Sequence, residues 1–195
     1  MQTQRNSAQE AAEDIFFGQL VIIYARWFVI VSMIILALWS TSSVPQLTSA
    51  VLFIVPLMAI NFFVHGRYLM EQPVNKMLLM ILSVVDILVI TLIILFWPTD
   101  RGLLSQFYIF YYPIILAYAF VSLARNSIIY TLITLILYTA ACFVSDPGLV
   151  LQSAWLERLA IRLITMAAMG LLGAYYWRIQ RTRMREAAGP ELEPI

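Results

Sequence analysis

Residues 75–97 read NKMLLMILSVVDILVITLIILFW, an almost unbroken apolar run in which Asp86 is the only acidic residue. A helix needs about 20 mostly apolar residues to cross the hydrocarbon core of a bilayer. The run has that length, and at about 1.5 Å of rise per residue Asp86 falls about 16 Å from its start. We therefore predict a transmembrane helix with a carboxylate near the middle of the membrane.

Similar apolar runs occur on both sides of this one, at about 18–40, 44–64, 104–124, 127–145 and 158–178. Together these runs predict an all-α fold, a polytopic membrane protein built as a bundle of six transmembrane helices. We expect three parts, which are a cytoplasmic N-terminal segment (1–17), the six-helix transmembrane domain (18–178) and a cytoplasmic C-terminal tail (179–195).

The composition agrees with this fold and excludes several classes of function. The 195 residues are 62% hydrophobic and 12% charged, whereas soluble domains are about 45–50% apolar and about 25% charged. A net charge of +1 provides no basic field for nucleic acid. One cysteine, Cys142, and one histidine, His65, exclude an intrachain disulfide, a thiolate zinc site and paired-histidine haem ligation. We expect no cofactor bound covalently or by metal ligation, and contact with a quinone, a lipid or a pigment stays open.

Basic residues indicate the orientation, because Lys and Arg concentrate on the cytoplasmic side of membrane proteins. The N-terminus, the second and fourth connections and the tail hold eight of them, and the opposite side holds two or three. Both termini are therefore predicted to be cytoplasmic, as an even number of spans allows. The eight are Arg5, Arg67, Lys76, Arg125, Arg178, Arg181, Arg183 and Arg185, and the opposing ones are Arg101, Arg158 and Arg162.

A charge inside the bilayer is costly and indicates a role for the residue that carries it. Arg26 lies about 12 Å inside the first span if that span begins at Gly18, which matches the depth of Asp86. We therefore favour an intramembrane charge pair of Arg26 and Asp86 over one with Arg162, which enters from the other side. A neutral Asp86 bonded to a neighbouring helix and a proton relay or ligand site stay open. So does an interfacial position, in which Arg26 extends to the headgroups and Trp27 joins an aromatic belt.

The fourth span is rich in aromatic residues. Phe107, Tyr111 and Tyr118 fall on one helical face, which is a candidate face for a hydrophobic ligand such as a quinone headgroup or a pigment. An aromatic belt at the membrane surface, combined with helix packing, explains the same pattern. Both interpretations stay open.

Small residues repeat along the last span, at Ala167, Gly170, Gly173 and Ala174. Such residues let a neighbouring backbone approach closely. We favour packing inside the bundle as their role, with an interface to another subunit as the alternative.

The order of these features resembles the six-helix membrane sensor domain of bacterial histidine kinases, especially the redox-responding kinases of photosynthetic bacteria. That family has an Arg-Trp pair in its first helix, matched by Arg26-Trp27, and an Asp in its third, matched by Asp86. An Asn late in the second helix matches Asn61, and a Phe-rich fourth helix matches residues 107–117 (FYIFYYPIILA). The likeness implies a six-helix sensor-like fold.

The likeness covers roughly residues 20–145 and departs from the family in two places. The family's quinone-associated motif, a Gly-Gly turn followed by Asn-Pro-Phe, would fall at residues 98–107, where this chain reads PTDRGLLSQF and keeps only the Phe. A kinase continues from its last helix into a dimerisation helix, a phosphoacceptor His and an ATP-binding domain, whereas this sequence ends about ten residues after Arg185. We therefore expect the input half of a signalling protein without the kinase half.

These observations favour a non-catalytic, multi-pass protein of the bacterial cytoplasmic (inner) membrane. We expect an accessory or structural subunit of a larger membrane complex, with a respiratory or photosynthetic electron-transfer complex as the first candidate host. Its partners would then be the lipid bilayer and other membrane subunits, and not nucleic acid. A stand-alone sensor that binds a hydrophobic ligand such as a quinone and signals to a separate kinase is the alternative, and a small transporter is the second alternative. The sequence has no nucleophile–base pair, phosphate loop or metal-ligand spacing, so we expect no enzymatic activity.

Overall fold

The computed structural model describes residues 2–41, 43–72, 74–97, 100–148 and 153–187, and every regular element in these ranges is helical. The α-helices are α1 (Gln2–Ser40), α2 (Val44–Leu69), α3 (Lys76–Phe96), α4 (Tyr111–Val121), α5 (Ala124–Ser145) and α6 (Ser153–Ala187). Two short 3-10 helices, Gly102–Leu104 and Phe107–Phe110, lie between α3 and α4.

Five of the described helices contain a segment that is long and apolar enough to cross a membrane. The mean hydropathy of these segments lies between 1.5 and 3.0, and the segment in α3 is the most apolar. Their length and composition are those of a multi-pass membrane protein, and they overlap five of the six apolar runs found in the sequence. The segments are Gly18–Trp39, Gln46–Leu69, Met77–Phe96, Ala124–Ser145 and Ser153–Tyr176.

The remaining run, residues 104–124, is built differently from a single long helix. Its apolar helical part, Phe107–Val121, is shorter than the other five segments and begins as a 3-10 turn. The chain enters this region through Gly102, whose φ of +56° is readily adopted only by a residue without a Cβ. Non-helical backbone is tolerated at membrane depth where protein covers it, and Gly102, Leu103 and Ser105 are all buried.

α4 lies in the centre of the bundle and packs against α1, α3, α5 and α6. More than half of its residues are buried, and the main apolar core forms around them. A second, smaller apolar cluster lies where the apolar segment of α1 and helix α3 begin, and consists of Ile22, Ile23, Val64, Val74, Leu79 and Leu82. The short helix is therefore the one that the other helices enclose.

The first and last helices leave the bundle at the same end. Gly18, where the apolar segment of α1 begins, lies against Val121 at the end of α4. Tyr176, where the apolar segment of α6 ends, packs its ring against Phe120, with 5.3 Å between ring centroids. Beyond these points both helices continue without a break, so two helical extensions (residues 2–17 and 177–187) start from one end of the bundle.

Candidate functional site

Arg26 of α1 and Asp86 of α3 form an ion pair inside the bundle, with 2.8 Å between Nε of the arginine and Oδ2 of the carboxylate. Each side chain is only 5% exposed. On both helices the charge lies about 12 to 14 Å from the start of the apolar segment, at about 1.5 Å per residue. The pair therefore joins two helices at matching depth, and Arg26 does not extend to the surface.

Gln19 links the first three helices at the end where the apolar segment of α1 and helix α3 begin. Its side-chain oxygen accepts a hydrogen bond from the backbone N–H of Val74 (2.8 Å), and its side-chain nitrogen donates to the carbonyl of Val64 (3.2 Å). Asn61 adds a bond from its side-chain nitrogen to the carbonyl of Ile23 (3.4 Å). From sequence, Asn61 stands out only through the family likeness, and the only sign of Gln19 is an amide at the edge of an apolar run.

The guanidinium of Arg26 uses only one of its three nitrogens as a hydrogen-bond donor within the described residues. Its Nη1 and Nη2 atoms are buried, and neither has a hydrogen-bond acceptor within the described ranges. Two small cavities of about 10 Å³ each flank the ion pair, and both are lined by Arg26 and Asp86. The surroundings are otherwise apolar, apart from the hydroxyl residues Ser83 and Tyr118 at one of the cavities.

Trp27, the neighbour of Arg26, points to α2 instead. Its indole Nε1–H donates to Nδ1 of His65 (3.1 Å), and its ring contacts Phe62 edge-on, with 4.8 Å between centroids. His65 lies within α2, four residues before that helix ends at Leu69. The adjacent Arg and Trp therefore make separate links from α1 to two different helices.

The three aromatic residues of the candidate ligand face are buried in the core. Tyr111 is 0% exposed and its hydroxyl is 2.7 Å from Oγ1 of Thr91. Tyr118 stacks on Tyr130 at 4.0 Å between centroids, and Phe107 packs against Trp97 at 4.5 Å. Protein side chains pack against Phe107, Tyr111 and Tyr118, and Tyr118 also borders a small cavity of about 10 Å³.

An open groove lies on the adjacent face, between α1 and the 3-10 turn before α4. Its volume is about 410 Å³, which is within the range of pockets that hold small molecules. Its lining is mostly apolar with two polar residues, and consists of Ser32, Ile35, Leu36, Trp39, Gln106, Ile109 and Phe110. Sequence periodicity did not separate this face from the buried one, because both contain aromatic residues.

Arg162 of α6 occupies a separate position at the opposite end of the bundle from the helical extensions. Its Nη1 donates to the hydroxyl of Tyr138 (2.8 Å) and to the carbonyl of Ser105 (3.4 Å). Its guanidinium lies over the ring of Tyr108, 3.7 Å from the centroid. Arg162 therefore holds the turn before α4 against α5 and α6, and it does not pair with Asp86.

The small residues of α6 face other helices of the same chain. A Cβ atom added at Gly170 would collide with Thr131 of α5, and one added at Gly173 would collide with Ala119 of α4. Ala174 is buried and Ala167 is partly buried. The close approach that these residues allow is used at least in part inside the bundle.

Within the described residues, no group of three or more His, Cys, Asp or Glu side chains is placed to hold a metal ion. The free thiol of Cys142 is buried beside Tyr138 and Arg162 in the core. Comparisons with protein-family models, with curated proteins and with solved structures found no match. The ion pair and its surroundings therefore have to be interpreted from their own geometry.

Proposed function

We propose that this protein is a non-catalytic accessory subunit of a membrane complex, that it crosses the bacterial cytoplasmic membrane six times, and that it works by binding another membrane protein. The observation that carries this proposal is the pair of helical extensions, residues 2–17 and 177–187, which start from one end of the bundle. Each is the unbroken continuation of a helix anchored in the bundle. Such extensions are available to a partner outside the bundle, whereas the core of the bundle is packed with its own side chains.

The distribution of charge supports a cytoplasmic position for this end. Arg67 lies in the last turn of α2, beside the turn that Gln19 ties to α1. Arg125 lies at the start of α5, shortly after the end of α4, where Val121 lies against Gly18. These basic residues therefore lie at the end of the bundle from which the helical extensions start. Basic residues generally concentrate at the cytoplasmic end of membrane proteins.

The length of the central element supports a sixth crossing. Phe107–Val121 covers about 24 Å if the 3-10 part rises about 2.0 Å and the α part about 1.5 Å per residue. The hydrocarbon core is about 30 Å thick. The buried turn Gly102–Leu104 comes just before this element in the chain and would cover the rest of the hydrocarbon thickness.

A respiratory or photosynthetic electron-transfer complex is the host class that we propose first. The likeness to sensor domains of photosynthetic bacteria supports this choice, since it relates the chain to membranes that contain such complexes. In such a host the protein would contribute packing surface and no redox centre.

The experiment is purification of the tagged full chain from native membranes in a mild detergent, followed by identification of the associated proteins by mass spectrometry. We expect a large membrane complex in a fixed ratio to the tagged chain. Recovery of the chain alone or as a homodimer, under conditions that keep known complexes of the same membrane intact, would contradict the proposal.

The open groove of about 410 Å³ favours a second candidate, a sensor that binds a hydrophobic ligand. Gln106 and Ser32 provide polar contacts and Ile35 and Ile109 provide apolar ones, which suits a molecule with a polar head and an apolar chain. Ile109→Trp would fill the groove, and Ile133→Trp on α5 would serve as an exposed control outside it. A sensor would lose ligand-dependent signalling in the first variant only, while an accessory subunit would keep its partner in both.

A further inference from the structure

The buried guanidinium of Arg26 has donors without acceptors. Nε is used by Asp86, but Nη1 and Nη2 carry four N–H groups and have no acceptor in the part of the chain that the structure describes. An unpaired donor in an apolar interior loses the hydrogen bonds it would make in water, at a cost of about 1–3 kcal/mol and more for a charged group. A native arrangement of this kind calls for an acceptor that is not a side chain.

The two cavities beside the ion pair differ in the side chains that line them. The first is walled by Val29, Ile30 and Leu57 together with two further isoleucines, and its only polar residues are Arg26 and Asp86. The second is lined by the same ion pair together with Ser83 and Tyr118, besides Ile22, Ala25, Ile114 and Ala117. Each measures about 10 Å³, which is the space of about one water molecule.

We propose that the second cavity is a binding site for one structural water molecule, held between Arg26, Asp86, Ser83 and Tyr118. A buried water needs two to four polar partners, and four residues with polar side chains line this cavity. The water oxygen accepts from the terminal nitrogens of Arg26, and its two hydrogens are donated to the carboxylate and to a hydroxyl oxygen. Ser83 suits the latter role, because its own hydrogen is already donated to the carbonyl of Leu79 (2.9 Å) and its lone pairs stay free.

The site is independent of the proposed function, and it changes the chemistry of the ion pair. A bridging water spreads the charge of Arg26 and Asp86 over a polar group of four residues. It also gives Asp86 an exchangeable hydrogen-bond partner in the centre of the bundle. The first cavity lacks hydroxyl residues and serves as an internal comparison.

The experiment is X-ray radiolysis of the full chain in lipid nanodiscs prepared in ¹⁸O-labelled water, with oxygen incorporation measured at single tyrosines by mass spectrometry. Radicals formed from a bound water label the side chain beside it. Tyr118 lines the cavity and is 6% exposed, whereas Tyr111 and Tyr138 are also buried (both 0% exposed) and line neither cavity. We expect several-fold more ¹⁸O at Tyr118 than at either control tyrosine.

A cavity-filling variant provides the second measurement. Ala117→Val places methyl groups in the second cavity and is expected to reduce the labelling of Tyr118 to the level of the controls, while Val29→Ile at the first cavity leaves it unchanged. Equal labelling of Tyr118, Tyr111 and Tyr138 in the unmodified chain overturns the proposal, whether or not Ala117→Val folds. Labelling of Tyr118 that persists in a folded Ala117→Val variant also overturns it.

Discussion

Arg26 of α1 and Asp86 of α3 are joined by a charged hydrogen bond of 2.8 Å, and each side chain is only 5% exposed. A buried ion pair is not a strong source of net stability, because desolvation offsets much of the attraction. Its effect lies in the penalty for separating the partners. The pair therefore constrains how α1 and α3 are rotated relative to each other.

The first prediction concerns the coupling between the two charges. Removing one partner leaves the other charged and buried, which costs about 3–5 kcal/mol, whereas apolar replacement of both is often close to neutral. We expect Arg26→Met and Asp86→Leu each to lower the free energy of unfolding strongly, and the double variant to recover most of the loss. The measurement is reversible unfolding of the full chain in detergent micelles.

A polar double variant is the control for the change of side-chain shape that the apolar replacements introduce. Asp86→Asn with Arg26→Gln keeps hydrogen-bonding groups in place of the charges and is also expected to lie closer to the unmodified chain than the two single effects predict. Effects that simply add, in both double variants, would show that the two residues are not coupled.

The second prediction concerns Arg162, which bonds Tyr138 and Ser105 and lies over the ring of Tyr108. Lysine lacks the planar fork that makes these contacts together. We expect Arg162→Lys to lower the free energy of unfolding by about 1–3 kcal/mol, as for the loss of hydrogen bonds to a charged group. Arg158→Lys is the matched control, because Arg158 is exposed and lies farther from its aromatic partner Trp155, at 5.6 Å. Equal effects of the two substitutions would contradict a specific role for Arg162.

The third prediction concerns the small residues of α6. Gly170→Val introduces atoms where Thr131 already lies, and overpacking of this kind typically costs about 1–3 kcal/mol. We expect the isolated chain to be destabilised, while Leu172→Val, at a position 61% exposed, has little effect. If Gly170→Val instead leaves the isolated chain as stable as before and only abolishes a partner, the glycine serves a subunit interface.

The fourth prediction tests whether the α4 region crosses the membrane. Single cysteines at Asp100 and Arg125 flank this region, in a Cys142→Ala background that removes the native thiol. We expect a membrane-impermeant maleimide to label Asp100→Cys in right-side-out spheroplasts and Arg125→Cys only after permeabilisation. Labelling of both from the same side would mean that residues 102–121 re-enter without crossing.

Most helices and the ion pair could be predicted from the sequence for simple physical reasons. Long apolar runs indicate α1, α2, α3, α5 and α6, since only a helix satisfies its backbone polar groups within a bilayer. Arg26 and Asp86 could be paired because their distances from the starts of their runs, about 12 and about 16 Å, are more alike than those of Asp86 and Arg162. The sequence predicts that the last span begins at residue 158, five residues after α6 begins at Ser153. The reason is that Glu157 and Arg158 lower the hydropathy of the first turns of α6.

The fourth element and the neighbours of the site could not be predicted in this way. Hydropathy does not distinguish a helix from buried 3-10 turns, and the positive φ of Gly102 has no signature beyond the residue type. The bond from Trp27 to His65 depends on how α1 and α2 are rotated relative to each other. For the same reason, Phe107, Tyr111 and Tyr118 were candidates for a ligand face but lie in the core.

The central claim is that the protein works through a partner bound at its helical extensions, and the most direct measurement is how much partner remains bound when one extension is broken. Thr182→Pro interrupts the backbone of α6 beyond Tyr176, because proline removes a helical hydrogen bond and collides with the preceding turn. Thr182→Ala is the matched control that keeps the helix. We predict that Thr182→Pro loses the co-purifying membrane protein while the bundle unfolds at the same detergent concentration as the control. Full retention of the partner in Thr182→Pro would contradict the account.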